Sequence, residues 1–280
     1  MVTEAGFGAD IGCEKFFDIK TRASGLKPDC AVIVATVRAL KTHGGGPPVV
    51  AGTPLHRVYS EEALDLVKTG CCNLSRHIEN TKKFGVGVVV AINQFHTDTP
   101  AELEAVKELA LQAGADACVV SNHWALGGAG AVDLGRAVLA VCDASKERRR
   151  VSGESGLPRF LYGLEEPLKA KVERVAFEIY RAGKVEFSPL AEQQLAQCER
   201  LGWGRFPVCI AKTQYSFSSN AELKGAPEGH TLTVREARAS VGAGFVFVLT
   251  GDIMTIPGLP TRPGYYDVDL LEDGRIVGLF

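Results

Sequence analysis

The first half of the chain alternates between short, unbroken apolar runs and longer stretches in which apolar residues recur every three or four positions. The short runs, near 30–36, 85–92 and 116–120, are rich in β-branched residues and indicate strands buried on both faces. The periodic stretches between them are typical of amphipathic helices. Strands that alternate with helices over residues 30–143 predict a parallel sheet with right-handed crossovers.

Capping signals mark the ends of the predicted helices. Ser60, which two glutamates follow, predicts the start of the first helix, and this helix is expected to stop before Gly85. Residues 99–102 supply a threonine N-cap, a proline at the first helical position and a capping-box glutamate for the second helix, and Gly114 predicts its end. A third helix is expected after the glycine-rich residues 127–130, with an apolar face made of Leu134, Val138 and Val141.

The second half of the chain follows a basic run at 146–150 and a Ser/Gly/Pro stretch that ends at 158. We interpret these residues as a solvated connection; a phosphate or nucleic-acid patch is the alternative, and the acidic balance elsewhere disfavours it. Two further helices follow, and strand patterns dominate from about residue 206. The sequence therefore predicts an α/β protein with a mostly parallel region over 1–145, a connection over 146–160, and a smaller α+β region over 161–280.

Composition and charge exclude several classes of protein. The formal net charge is −2 at pH 7 and the pI is near 6.3, which disfavours a nucleic-acid-binding surface. No run of 18 or more apolar residues is present, so no membrane-spanning helix and no membrane partner are expected. The eight cysteines include no CxxC pair, so we expect no metal site and, with several thiols inside apolar runs, a reduced intracellular compartment.

Two aromatic residues, Phe95 and Trp124, follow the second and third predicted strands. Ligands in open α/β sheets sit outside the carboxyl ends of the strands, so two rings placed there suit a flat heteroaromatic ligand held between their faces. Core aromatics that cap the sheet edge are the alternative, and the pattern alone weighs the two about equally. Gln94 and His123 are polar candidates for the same cleft. A histidine in such a loop acts as a general acid or base or, more commonly, as a hydrogen-bonded structural residue.

Two lysines stand where an anion is able to bind. Lys41 precedes a His-Gly-Gly-Gly loop at 43–46, whose backbone N–H groups suit a phosphate or carboxylate; a plain Gly/Pro loop is the alternative that we favour. Lys212 follows a buried strand pattern and offers a point charge, although a surface lysine at a strand exit is equally consistent. The sequence contains no GxSxG, GxGxxG or GxxxxGK(S/T) motif.

Several long motifs, spread from one end of the chain to the other, carry a resemblance to a known family. They are TEAGFGADIG at 3–12, VATVRALK at 34–41, AKTQYS at 211–216, SVGAGF at 240–245, PGLP at 257–260 and GLF at 278–280. These segments resemble the formate–tetrahydrofolate ligases, also called 10-formyltetrahydrofolate synthetases. The match covers essentially all 280 residues. The chain looks like the C-terminal half of that enzyme, or of the ligase part of the eukaryotic multifunctional one-carbon tetrahydrofolate synthases.

The resemblance implies a reaction, a fold and a site. The reaction joins formate to tetrahydrofolate at the expense of ATP, by way of formyl phosphate, and gives 10-formyltetrahydrofolate, ADP and phosphate. ATP (with Mg²⁺) and tetrahydrofolate are then substrates, no tightly bound prosthetic group is implied, and the sheet is of the nucleoside-triphosphatase-like type. In the family a phenylalanine and a tryptophan sandwich the pterin ring, and by position these correspond to Phe95 and Trp124. The resemblance implies a place near the cleft, without a specific role, for Lys41, Gln94, His123 and Lys212, and no catalytic residue is assigned.

One departure from the family is large. Its GxxxxGK(S/T) phosphate loop belongs to the N-terminal half and is absent from this sequence. Phosphoryl transfer depends on such an element, so we expect a chain that begins mid-domain, has an incomplete sheet with an exposed edge and apolar surface, and is inactive alone.

The same departure decides which partners and alternatives we expect. The partners are the missing half or the full-length enzyme, which the resemblance implies is a homo-oligomer. The expected compartment is the cytoplasm, with the mitochondrion left open. A non-catalytic folate-binding or regulatory protein is one alternative, and a structural partner of the full-length enzyme is another.

Overall fold

Two β-sheets, each with its own hydrophobic core, organise the chain. The computed structural model describes residues 1–50, 52–152, 159–251, 261–273 and 275–278. The first sheet is parallel throughout and has the order β1–β2–β3, with β1 at Cys30–Ala35, β2 at Gly87–Asn93 and β3 at Ala117–Ser121. This arrangement confirms the predicted parallel α/β region.

A helical segment precedes the first strand. It winds through two wide, π-helical turns, Ala9–Cys13 and Phe16–Thr21, and ends in the short helix α1 (Arg22–Ser24). Phe17 stacks on Phe84 with ring centroids 4.4 Å apart, inside the core that belongs to the second sheet. The segment therefore ties the beginning of the described chain to its second half.

Helices lie on both faces of the first sheet, which explains why its central strand is an unbroken apolar run. One face carries the helices α2 (Val37–His43), α3 (Leu64–Lys82) and α4 (Pro100–Gln112). The short α5 (His123–Leu126) follows β3 and leads to α6 (Val132–Ser152), which packs on the other face. There the packing is close, since a Cβ added to Gly87 would lie 2.4 Å from Val141 Cγ1.

The predicted helix signals are confirmed in one helix and wrong in another. Thr99 and Glu102 form the complete capping box of α4, and Gly114 follows the helix with a φ of +96°. The start assigned to Ser60 is wrong, because Ala63 is the N-cap residue of α3. Ser60 instead closes a preceding 3-10 turn, where its hydroxyl donates to the carbonyl of Arg57 at 3.1 Å.

The basic run at 146–150 is helical where a connection was expected, and four of its five residues are exposed. Helix α6 continues to Ser152, because its last turns gain side-chain partners. Arg149 pairs with Asp29 beside β1, and Arg150 pairs with Glu147 one turn earlier at 2.7 Å. Residues 153–158, the rest of the expected connection, lie outside the described residues, so the boundary between the two regions stays a prediction.

The second sheet is mixed and has the order β4–β6–β7–β5. Its strands are β4 (Lys184–Phe187), β5 (Val208–Ala211), β6 (Thr231–Ser240) and β7 (Phe245–Thr250), of which β6 and β7 form an antiparallel hairpin. The helices α7 (Leu168–Glu178) and α8 (Pro189–Arg200) pack against it, and a small ribbon pairs β8 (Asp269–Leu270) with β9 (Ile276–Val277). This sheet confirms the predicted α+β character. Strand β4 was not predicted from the sequence, because a pattern of four residues is too short to identify a strand.

Strand β1 lies at one edge of the first sheet, and part of its surface is uncovered. Within the described ranges no strand pairs with its outer side. Val32 and Val34 share one face of the strand and are 44% and 66% exposed, whereas Val89 in the central strand is fully buried. The edge and its apolar face agree with the exposed surface expected from the sequence.

One helical stretch, His123–Val151, is long and apolar enough by length and composition to cross a membrane. The mean hydropathy of its most apolar window is 1.4, and 6% of that window is buried. A single stretch of this kind is weak evidence for a membrane span. Since α6 contacts all three strands of the first sheet, we describe it as a helix that packs on the sheet.

Candidate ligand site at the carboxyl edge of the first sheet

The ends of β2 and β3 bring the two predicted aromatic residues to the same edge of the sheet. Asn93 pairs with Ser121 in the parallel register, and the N–H of Gln94 donates to the carbonyl of Ser121 at 3.1 Å. Phe95 and Trp124 each follow within three residues of this last rung. The carboxyl edge is where ligands of parallel sheets bind, so the structure places both rings in the expected region.

The backbone and ring of Phe95 are held on two sides. Its N–H donates to Asp98 Oδ2 at 2.8 Å, and the N–H of Asp98 donates back to the Phe95 carbonyl at 3.1 Å. The guanidinium carbon of Arg38, in the first turn of α2, lies 4.6 Å from the centre of the ring. Burial raises the pKa of Asp98, and the Phe95 N–H bond opposes that rise. Phe95 is therefore a half-buried ring in a fixed turn.

Trp124 is more exposed than Phe95: it lies in α5, and 90% of its side chain is accessible to solvent. The start of this short helix is fixed, since Asn122 donates its N–H to the Gly130 carbonyl at 3.0 Å. Gly130 has to be a glycine, because a Cβ there would lie 2.2 Å from the Asn122 carbonyl oxygen. Next to Trp124, the Nδ1 atom of exposed His123 lies 3.0 Å from Ser121 Oγ. An indole that packs on so little of the described chain offers its faces to a ligand.

Lys41 lies in the interior, where it joins α2 to α4. The side chain is 1% exposed, and its Nζ lies 2.8 Å from Glu102 Oε1 and donates to the Glu61 carbonyl at 2.8 Å. Burial raises the pKa of Glu102, but hydrogen bonds from Lys41 and from the N–H groups of Ala63 and Thr99 outweigh it and hold the pKa below its usual range. The charge of Lys41 is thus neutralised by a carboxylate rather than turned toward the cleft.

The glycines that follow Lys41 allow a close approach of helices. A Cβ on Gly44 would lie 1.9 Å from the Leu66 carbonyl oxygen, and a Cβ on Gly70 would lie 1.8 Å from that of Leu40. These contacts let α2 and α3 pack at short distance, which supports the plain-loop interpretation of the triple glycine over an anion site.

Lys212 lies outside the carboxyl edge of the first sheet; it follows β5 in the second one. Its Nζ lies 2.7 Å from Asp10 Oδ2 and donates to the Thr213 carbonyl at 3.0 Å and to the carbonyl of Ser216. Burial lowers the pKa of Lys212, and the Asp10 carboxylate opposes that change. This pair closes the N-terminal segment onto the loop after β5. The contacts of Lys212 among the described residues are with this segment, its own loop and Tyr180, and none is with Phe95 or Trp124.

A small cavity of about 40 Å³ lies beside the Lys212 pair. Burial lowers the pKa of His43 to about 4, and the neutral ring accepts the N–H of Gly225 at 3.0 Å. The ring of His77 lies 4.7 Å from that of Phe217. A volume of this size is too small for a pterin. Its walls are Gly8, Asp10, His43, Asn73, His77, Gln214, Tyr215, Ser216 and Phe217.

A buried acidic row in the N-terminal segment is the feature that the sequence analysis missed. Asp10, Glu14 and Asp18 are spaced four residues apart, and each is buried. Neither carboxylate oxygen of Glu14 has a hydrogen-bond partner among the described residues. Burial raises the pKa of Glu14 well above its usual range and raises that of Asp18 to about 6. The spacing of four was the available signal, because it places three carboxylates on one face of a helical segment.

The sequence matches known proteins over its whole length. The family model described as formate–tetrahydrofolate ligase matches residues 1–280. The chain belongs to this family. Similar proteins include the cytoplasmic C-1-tetrahydrofolate synthase of Schizosaccharomyces pombe (53% identical, covering 100% of this chain and 29% of that protein) and the formate–tetrahydrofolate ligase of Spinacia oleracea (53%, covering 100% and 42%). The monofunctional mitochondrial C1-tetrahydrofolate synthase of Homo sapiens is 50% identical, covering 100% of this chain and 28% of that protein.

Membership of the formate–tetrahydrofolate ligase family confirms the resemblance seen in the sequence. The chain spans less than half the length of these relatives, which include cytoplasmic and mitochondrial proteins. Within the described part of the chain no group of three or more His, Cys, Asp or Glu side chains is placed to hold a metal ion.

Proposed function

We propose that this chain takes part in the ATP-dependent ligation of formate to tetrahydrofolate and contributes the site that binds the pterin ring. The product is 10-formyltetrahydrofolate, formed by way of formyl phosphate, with release of ADP and phosphate. One observation carries the proposal: a fixed Phe95 and an exposed Trp124 follow neighbouring strands at one carboxyl edge, in a chain that matches the ligase family throughout.

The chemistry of the two rings fits a pterin. A pterin is a flat heteroaromatic system, and stacking on an aromatic face adds about 0.5–1.5 kcal/mol beyond the burial of apolar area. Phe95 is held by its turn and loses little freedom on binding, whereas Trp124 is free to close over the ligand. Gln94 and His123 lie at the same edge and are suited to hydrogen bonds with the ring nitrogens and carbonyl.

The phosphoryl-transfer step is proposed to need groups from outside these residues. Stabilising the transferred phosphoryl group and its Mg²⁺ requires cations and backbone N–H groups placed around it. The two candidate lysines, Lys41 and Lys212, are engaged by Glu102 and Asp10, and the sequence contains no GxxxxGK(S/T) motif. We therefore propose that the chain alone lacks ligase activity and that its partner in the reaction, the missing N-terminal half or the full-length enzyme, carries the ATP-binding phosphate loop.

The open edge of the first sheet is the proposed contact surface for that partner. Val32 and Val34 present apolar area there, and strand β1 has an unpaired outer side among the described residues. A strand from the partner would extend the sheet, and a helix from the partner would cover the valine face. We place the assembled ligase, a homo-oligomer in this proposal, in the cytoplasm. A non-catalytic folate-binding or regulatory role is the second candidate, and the engagement of Lys41 and Lys212 by buried carboxylates favours it.

Titration calorimetry with tetrahydrofolate tests the pterin site. Phe95→Ala and Trp124→Ala are each expected to weaken binding about tenfold, since one stacked ring is worth about 1.5 kcal/mol. Phe177→Ala is the matched control, because Phe177 is 43% exposed on α7 in the other half of the molecule. Binding by the native chain that neither variant changes would refute the proposed site.

An activity assay separates the two candidate functions. The chain alone, given ATP, Mg²⁺, formate and tetrahydrofolate, is expected to form no 10-formyltetrahydrofolate. Activity that appears on addition of a polypeptide carrying the phosphate loop supports the ligase; tetrahydrofolate binding without activity in that mixture supports the non-catalytic role.

A further inference from the structure

Arg38 lies at the carboxyl edge of the first sheet and has no role in the proposed reaction as described above. It follows Thr36, whose hydroxyl caps α2 by accepting the N–H of Ala39 at 3.1 Å. Strand β1 ends at Ala35, opposite Ile92 of β2, so the first turn of α2 rises beside the turn that carries Phe95. The side chain of Arg38 is half-buried there, with its guanidinium carbon 4.6 Å from the centre of the Phe95 ring.

Within the described ranges, the guanidinium of Arg38 has no carboxylate in ion-pair contact. Its Nε atom is buried without a hydrogen-bond acceptor among the described residues. The neighbouring cation, Lys41, has Glu102 as its partner, and the neighbouring carboxylate, Asp98, accepts the Phe95 N–H. The arginine thus differs from both lysines of the candidate set, whose charges are matched inside the protein.

Guanidinium geometry makes this arrangement suitable for an anion. A guanidinium that lies against an aromatic ring by its plane keeps its N–H groups at the edge of that plane, where they are able to donate in pairs. Such paired donors match the two oxygens of a carboxylate or phosphate. A buried N–H without an acceptor costs free energy, and a bound oxyanion would remove that cost.

We propose that Arg38 binds an oxyanion of the ligand, a carboxylate or a phosphate, while its plane holds the Phe95 ring. The inference rests on the proposed pterin site and adds to it an anionic anchor beside the ring. All three substrates of the proposed reaction carry such a group, and the titrations distinguish two sources, a carboxylate of tetrahydrofolate and a phosphate. One source is the glutamate carboxylate of tetrahydrofolate, and the other is the phosphate of ATP or of formyl phosphate.

Calorimetric titrations of the full chain test the proposal with three probes: tetrahydrofolate, 6-methyltetrahydropterin and inorganic phosphate. The methylpterin has the same ring without any carboxylate, so it reports stacking alone. The variants are Arg38→Gln, which removes the charge, and Arg38→Lys, which keeps the charge but loses the planar pair of donors. Arg205→Gln is the control, because Arg205 is exposed and pairs with Glu165 in the second half of the chain.

The result expected for a carboxylate source is a loss of tenfold or more in tetrahydrofolate affinity for Arg38→Gln, with methylpterin binding unchanged. For a phosphate source, Arg38→Gln abolishes phosphate binding and leaves tetrahydrofolate affinity unchanged. Arg38→Lys is expected between native and Arg38→Gln in either case, and this variant decides the question if the glutamine variant fails to fold. The proposal is overturned if Arg38→Gln leaves all three affinities unchanged, or if it weakens tetrahydrofolate and methylpterin equally, which indicates a purely structural contact with Phe95.

Failure of the pterin site itself is recognisable in the same experiment. If the native chain binds neither tetrahydrofolate nor methylpterin, the proposed function fails, and the phosphate titration then decides the role of Arg38. Phosphate binding that Arg38→Gln removes and Arg205→Gln keeps supports the oxyanion site. Phosphate binding that survives in Arg38→Gln, or that is absent from the native chain, overturns it.

Discussion

At the scale of single residues, eight charged side chains are buried in the described part of the chain, and six of them take part in ion pairs. Lys41 meets Glu102, and Lys212 meets Asp10, in each case with two nearly inaccessible side chains. A buried ion pair contributes little net stability against an apolar replacement, but removal of one partner leaves an uncompensated charge. These pairs therefore fix the positions of the elements that carry them and leave Arg38 as the cation near Phe95 with an open edge.

Lys41→Met tests the first of these pairs. It is expected to lower the free energy of unfolding by about 3–5 kcal/mol, because Glu102 stays buried without its counter-charge. The double variant Lys41→Met/Glu102→Gln is expected to recover much of the loss, since the amide oxygen still accepts the Ala63 N–H. Urea unfolding measures both. The exposed pair of Lys107 and Glu104 supplies the control: Lys107→Met is expected to change stability by about 0.5 kcal/mol or less. A Lys41 variant as stable as this control would show that the pair is dispensable.

The buried acidic row of Asp10, Glu14 and Asp18 predicts an unusual pH dependence of the free energy of unfolding. Asp18 has its pKa raised from 3.8 to about 6, chiefly by burial, against the N–H of Leu161 and the charge of Arg22. Because the folded pKa is the higher one, the stabilisation from its proton is complete below about pH 4 and is lost as the pH rises to about 6. Asp18→Asn keeps an acceptor for the Leu161 N–H. As the pH rises over this interval, its free energy of unfolding is expected to increase relative to that of the native chain, by up to about 3 kcal/mol.

Urea unfolding of the native chain and Asp18→Asn at several values between pH 4 and pH 7 measures this gain. The exposed Asp133, paired with Arg136, provides Asp133→Asn as the control at a surface ion pair. A stability difference between Asp18→Asn and the native chain that stays constant with pH, or that grows toward low pH, would contradict the assignment of a raised pKa.

At the scale of secondary-structure elements, the first sheet owes its site to short connections and close helix packing. Helix α2 begins one residue after β1 and lies against α3, where Gly44 and Gly70 replace side chains with backbone contacts. The close packing positions Arg38 and the N-terminal turn of α4 around the end of β2. Changes in this packing should therefore act on the site from a distance.

Gly70→Ala tests the packing, because the substitution is expected to destabilise this helix although alanine normally stabilises a helix relative to glycine. Alanine normally stabilises a helix relative to glycine by about 1 kcal/mol. At Gly70 the added methyl would meet the Leu40 carbonyl, so we expect a loss of about 3 kcal/mol or failure to fold. Gly135→Ala in α6, where no atom lies within 4 Å of the added Cβ, is the matched control and is expected to stabilise. Thermal unfolding followed by circular dichroism compares the two, and equal stabilisation by both would disprove the close contact.

Much of the first sheet was predictable because its signals are local. The β-branched runs, the capping box at Thr99 and the left-handed Gly114 depend on neighbours in the sequence, and the structure confirms them. The same logic places Phe95 and Trp124 at one edge. The partners of Lys41 and Lys212 were not predictable, because Glu102 and Asp10 are distant in sequence and meet them through tertiary packing. Likewise, the contact of the Arg38 guanidinium with the Phe95 ring depends on the register of β1 against β2.

At the scale of the whole molecule, two cores are joined by polar contacts along α3. The side chain of Asn73 donates to the Gly225 carbonyl at 2.8 Å, and that of Asn80 donates to the Ile179 carbonyl at 2.9 Å. The second half of the chain thus braces the helix layer of the first sheet on one side. The edge strand β1 carries the exposed valines that we assign to partner binding.

The open edge predicts self-association of the chain in isolation. We expect the native chain to form oligomers or aggregates at micromolar concentrations, because unpaired strand edges with apolar faces template further pairing. Val34→Lys is expected to shift the chain toward monomer without loss of helix signal, and Leu190→Lys on α8, at 47% exposure, is the control with no such effect. Sedimentation velocity distinguishes these states. A native chain that sediments as a stable monomer would contradict the proposed role of the edge.

The structure of the chain bound to tetrahydrofolate is the measurement that tests the central claim most directly. The account predicts that the pterin ring lies between the faces of Phe95 and Trp124, with the free edge of Arg38 on an oxyanion of a bound substrate. A pterin found elsewhere, with Trp124 still open to solvent, would contradict the claim.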